Sequence, residues 1–116
     1  MLTFEVKPMA FKFKGNFGYT SQLFNEITHN VKKAIALSPQ AEIRMKYVNN
    51  LPTDEIDSYR YWFVIEGLQP FEVKFSAPQD ISQFDEVELE NPEACNIKGN
   101  IYFRASSATV IKKGGK

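Results

Sequence analysis

Apolar and polar residues alternate one for one along most of this chain, a period that admits strands and little else. Successive strand side chains point to opposite faces, so one face can build a core and the other meets solvent. Leu2, Phe4 and Val6 alternate with Thr3, Glu5 and Lys7 as far as Pro8; Met9, Phe11 and Phe13 then alternate with Ala10, Lys12 and Lys14. Gly15-Asn16-Phe17-Gly18 breaks the pattern. Ile43, Met45 and Tyr47 oppose Glu42, Arg44 and Lys46. Tyr59, Tyr61, Phe63 and Ile65 oppose Ser58, Arg60, Trp62 and Val64 in the longest and most apolar of these runs, expected to be central. Gly67-Leu68-Gln69-Pro70 reads as a hairpin connection into Phe71, Val73 and Phe75, with Glu72 and Lys74 outward. Val87 and Leu89 alternate with Glu86, Glu88 and Glu90 up to Asn91-Pro92; Ile101 and Phe103 alternate with Tyr102 and Arg104; Thr109-Val110-Ile111 makes a last short strand.

One stretch departs from this period. Leu23, Ile27, Val31 and Ile35 recur every four positions, with Phe24 and Ala34 beside them, which predicts a helix over 20–37. Thr20 or Ser21 suits its cap, Lys32 and Lys33 its last turn, and Ser38-Pro39 its end. Residues 49–57, from Asn49-Asn50-Leu51-Pro52 through Asp54, Glu55 and Asp57, read as a polar loop.

Seven or eight short strands and one helix make a single β-rich α+β domain over 1–111: a small bent sheet or a barrel like the oligonucleotide-binding fold. Lys112-Lys113-Gly114-Gly115-Lys116 reads as a basic, flexible tail. The expected core is Phe11, Phe13, Leu23, Ile27, Val31, Ile43, Met45, Tyr61, Phe63, Val73, Phe75, Val87, Leu89, Ile101 and Phe103. Ten Phe, five Tyr and one Trp favour such pleated, half-buried surfaces. No apolar run approaches the roughly 20 residues that span a bilayer. The N-terminus lacks the basic start and apolar stretch of a signal peptide, and Cys95 is the sole cysteine. A cytoplasmic protein without a membrane contact is the expectation.

The formal charge of zero conceals segregation. Residues 1–48 carry seven cations against three acids, 49–97 carry Arg60 and Lys74 against eleven acids, and 98–116 carry five lysines and arginines with no acid. Local fields of that kind matter to a partner more than the net charge does.

Catalysis has little support here. His29 is the sole histidine, and there is no histidine-paired nucleophile, Walker loop or Gly-x-Ser-x-Gly turn. Cys95 lies near an acidic stretch without a basic activator, the setting of an inert thiol. Glu86, Glu88 and Glu90 project from one strand face and diverge, whereas a hard cation needs converging oxygens. Neither a metal nor any cofactor is expected.

Single-strand nucleic-acid binders need cations along phosphates and rings on which bases stack. The outward positions supply both: Lys12, Lys14, Arg44, Lys46, Arg60, Trp62, Tyr102 and Arg104. If those faces coincide in the fold they form a basic, aromatic groove; a plainer account makes Trp62 and Tyr102 core residues and the cations solubilising charge. A different class of function is a protein-interaction module, which would use the acidic middle segment or an exposed sheet edge.

Phe71-Glu72-Val73-Lys74-Phe75, then Phe84-Asp85 with Val87-Glu88-Leu89-Glu90-Asn91-Pro92, then Tyr102 and Ala105–Ile111, carry a family resemblance, with Asn16-Phe17-Gly18 as a fainter echo. Over roughly residues 57–111 the chain resembles small proteins of Gram-positive integrative conjugative elements (conjugative transposons), a family that includes a helicase processivity factor. The resemblance implies a fold similar to oligonucleotide-binding barrels and a non-catalytic accessory role in helicase-driven DNA processing or transfer. Its implied partners are single-stranded DNA and a host helicase or other conjugation protein.

Overall fold

A computed structural model describes residues 18–114. Within them one short helix, α1 (Ser21–Thr28), precedes eight strands: β1 (Lys33–Ala36), β2 (Glu42–Val48), β3 (Leu51–Val64), β4 (Phe71–Phe75), β5 (Glu86–Glu90), β6 (Glu93–Ile97), β7 (Asn100–Arg104) and β8 (Ser107–Lys112). They form one open, bent, mixed sheet in the order β6-β7-β4-β3-β1-β5-β8, with β2 beside β1 on the same edge of β3. Only β4 and β7 run parallel. The expected β-rich α+β fold is the one observed, and its bent sheet is not closed into a barrel: β6 and β8 lie at opposite ends of the order. The strands expected over 2–7 and 9–14, with Phe11 and Phe13, lie outside the described residues.

The helix is far shorter than its period implied. Thr20 caps it, its Oγ1 accepting from the Leu23 amide at 3.1 Å. His29 (φ 56°) and Asn30 (φ 67°) then turn left-handed and stop it. Lys33–Ala36, expected as the last helical turn, is instead a strand between β3 and β5. Its Ile35 is β-branched and its two alanines are buried, so the gain from pairing on both edges outweighs a helical period. Val31, expected in the core, is exposed in the connection. The expected loop at 49–57 is also strand: Asn49 (φ 54°) and Asn50 (φ 66°) make a two-residue hairpin turn, and β3 starts at once.

The odd-numbered side chains of β4 and of the second half of β3, from Tyr59 on, build the core. Phe63 is fully buried, tilted against Phe71 and edge-on to Phe75, and Phe75 meets Tyr61 edge-on at 5.6 Å between centroids. The bend brings Val87 and Leu89 of β5 onto the same cluster, and α1 adds Phe24, edge-on to Phe103. Leu23, Ile27 and Phe103 pack at its margin. Ile43 and Ile101 fall outside it. Ile43, 52% exposed, sits on the β2–β3 hairpin beyond the reach of the cluster, and Ile101 is exposed on β7.

The last described residues are anchored. Buried Asp85 accepts from the Ser82 amide (2.8 Å), the Lys113 ammonium (3.0 Å) and the Gly114 amide (3.0 Å). Of the tail expected over 112–116, Lys112 belongs to β8 and Lys113 and Gly114 reach Asp85, while 115–116 lie outside the described residues. The two backbone amides, ahead of Lys113, hold the Asp85 carboxyl below its usual range despite its burial.

Truncating Phe63 or Phe75 to Ala should cost about 3–5 kcal/mol in denaturant unfolding, and Ile43→Ala under about 1 kcal/mol. Asp85→Asn should lower Tm at neutral pH. Because the folded pKa is depressed, the gap to wild type should close as pH falls below about 4, which a Tm series against pH reads directly.

Candidate functional site

Alternation that sends Tyr61 and Phe63 inward sends Arg60 and Trp62 to the outer face of β3. Strand register decides what joins them. Trp62 is opposite Glu72 and Arg60 opposite Lys74 across β3–β4. Lys74 is level with Arg104 across the parallel β4–β7 pair, which brings Tyr102 level with Glu72. Across β2–β3, Glu42 is opposite Arg60 and Arg44 opposite Ser58. Residues that the sequence scatters over sixty positions thus share one surface.

That surface borders an open cleft of about 740 Å³ whose lining includes Tyr19, Trp62 and Tyr102 with Arg60, Glu72 and Lys74, and which continues past the sheet edge to core-side Phe71 and Phe103. Trp62 and Tyr102 are each 43% exposed, so neither ring is sealed in the core. Tyr19 lies under two cations, the Arg104 guanidinium 4.2 Å and the Lys74 ammonium 5.5 Å from its centroid. It is held there by Thr20, whose backbone exchanges hydrogen bonds with Ala94 at the β6 edge (2.9 and 3.0 Å). Burial first, then the charge and hydrogen bonding of Cys95, push the Tyr19 phenol up to about 12, against the opposing pull of Arg104 and Arg60.

Of the eight residues expected to bind, Arg60, Trp62, Tyr102 and Arg104 come together here, and Arg44 reaches the margin. Lys46 does not: it lies out on the hairpin, 3.7 Å from Glu55. Lys12 and Lys14 lie outside the described residues. Lys74, Glu72 and Tyr19 are the additions. The first two read as outward from the alternation, but only the hairpin register places them beside Arg60 and Trp62; nothing periodic marks Tyr19.

The electrostatics differ from a uniformly basic groove. Arg44 pairs with Glu42 (2.9 Å) and faces Glu72 (3.8 Å); Arg60 faces Glu72 (3.7 Å) and Asp57 (3.9 Å); Arg104 pairs with Glu93 (2.7 Å). Lys74 has no carboxylate within salt-bridge distance among the described residues. Cations and acids therefore alternate across the face, leaving a locally neutral surface with directed donors. Among the described residues no cluster of three or more His, Cys, Asp or Glu could hold a metal ion, and no helix is long and apolar enough to cross a membrane. Cys95 is buried.

No family model matches the chain, and no curated protein or solved structure matches it.

A raised folded pKa means that neutral Tyr19 favours the fold, a contribution present below about pH 10 and lost as pH climbs toward 12. Tyr19→Phe should flatten the alkaline fall in Tm over that interval, and spectrophotometric titration should show one fewer late-ionising phenol.

Proposed function

We propose that this chain is a non-catalytic accessory protein that contacts single-stranded DNA through the outer face of its sheet. The observation that carries the reading is the meeting of half-exposed Trp62 and Tyr102 with Arg60 and Lys74 in one cleft. Rings at that exposure offer stacking of roughly 1–3 kcal/mol per base, and the cations offer donors to phosphate. Interleaved carboxylates limit the number of phosphates neutralised, so binding is weak and shallow in its salt dependence. The resemblance to conjugative-element proteins supplies the context: a cytoplasmic factor assisting helicase-driven DNA processing or transfer, with the helicase as its protein partner.

A protein-interaction reading draws on a different observation. The β2–β3 hairpin exposes Ile43, Tyr47, Val48, Leu51 and Ile56, and the outer edge of β2 has no neighbouring strand among the described residues. The acidic row Glu86, Glu88 and Glu90 on β5 would serve a basic partner in the same way.

Fluorescence anisotropy with a labelled oligonucleotide decides between them. Binding at low salt should weaken as salt rises, with a logarithmic slope of about −0.7 per phosphate contacted, and Trp62→Ala should lose about 1–3 kcal/mol. Retention of a helicase in a pull-down without any oligonucleotide binding would favour the protein-interaction reading.

A further inference from the structure

Trp62, Glu72 and Tyr102 form one row across three adjacent strands, with the carboxylate in the middle. Neighbouring strands lie about 4.8 Å apart, which sets the two ring-bearing residues about 10 Å apart across Glu72. Flanking one flat ring on both faces, at about 5 Å between centroids on each side, takes that same spacing and would turn the ring's edge toward Glu72.

That carboxylate has acceptor capacity to spare. Glu72 is 21% exposed, and its nearest cationic nitrogens, on Arg60 at 3.7 Å and Arg44 at 3.8 Å, stand beyond hydrogen-bond reach. Each arginine directs its Nε elsewhere, Arg60 to Ser58 Oγ and Arg44 to Glu42, each at 2.9 Å, and turns only a terminal Nη toward Glu72 without a hydrogen bond. A half-buried acceptor between two rings is matched by a planar group that carries N–H donors on its edge.

We infer that this slot selects guanine, an inference that rests on the single-strand reading above. Guanine presents N1–H and N2–H side by side, two parallel donors that match the two oxygens of a carboxylate in a bidentate pair. Thymine presents one N–H between two carbonyls, which oppose the carboxylate. Cytosine and adenine present an amino group beside an acceptor nitrogen. The adjoining row of Arg60, Lys74 and Arg104 suits the phosphate of the same nucleotide. An arginine side chain from a peptide carries a similar fork of donors but brings no phosphate for Lys74, which has no carboxylate within salt-bridge distance among the described residues.

The test compares three labelled strands at low salt: a thymidine homopolymer, the same strand with one central guanine, and that strand with hypoxanthine replacing the guanine. Anisotropy gives affinity, and quenching of Trp62, the only tryptophan, reports occupancy of the slot. Guanine should bind roughly tenfold tighter than thymine, and hypoxanthine, which lacks the N2 amino group, should lose most of that gain. Glu72→Gln should bring the guanine-to-thymine ratio close to one. Equal affinity for the guanine and thymine strands overturns the selection while leaving single-strand association standing. Hypoxanthine binding as tightly as guanine overturns the bidentate contact without requiring any protein variant. A preference that survives Glu72→Gln removes Glu72 from the role. Failure of every strand to bind overturns the single-strand reading itself, and Trp62 quenching by an arginine-rich peptide alone would assign the slot to a guanidinium.

Discussion

Strand β3 serves two surfaces on alternate residues, and its register is the constraint on which both depend. Tyr61 and Phe63 face inward while Arg60 and Trp62 face outward. A slip of one position would put the guanidinium and indole into the core and two aromatic rings into solvent. The cost of uncovering Phe63 and of burying Arg60 without its acceptors therefore locks the outer surface as firmly as the inner one. The cleft inherits its order from the hydrophobic cluster behind it.

Neutral balance on the outer face has a physical use. Each arginine is oriented by an acid or hydroxyl before a ligand arrives: Arg104 by Glu93, Arg44 by Glu42, Arg60 by Ser58. Donors fixed in this way lose less side-chain freedom on binding than solvated lysines do, so specificity gains at the expense of long-range attraction. Lys74, steadied over the Tyr19 ring, is the cleft cation with no carboxylate within salt-bridge distance among the described residues.

Much of the fold was legible because alternation reports burial directly. Tyr61, Phe63, Val73, Phe75, Val87 and Leu89 all lie where a period of two sends them. Errors arose where local pattern and long-range pairing disagreed. Leu23, Ile27, Val31 and Ile35 share a helical spacing, but left-handed His29 and Asn30 divide them, and pairing with Val64 and Glu86 claims Ile35. The Asn49-Asn50 turn was visible as a break, yet its tightness depends on two positive φ angles, and so β3 gained residues that their polarity had assigned to a loop. In the site, outward direction was legible for Arg60, Trp62, Tyr102 and Arg104, while adjacency was not, since strand order and the parallel β4–β7 pairing leave no mark on neighbouring residues.

Strand β1 joins the sheet by few pairs: two residue pairs to β3 and three to β5. It is the splice through which the β6-β7-β4-β3 portion, with its cleft, is fastened to the β5–β8 ribbon. Ala34 and Ala36 face the interior there, and their small side chains allow the two portions to close around Phe63. A bulkier residue at either alanine would act as a wedge, prising the ribbon away and opening the aromatic cluster to water from the side opposite the cleft.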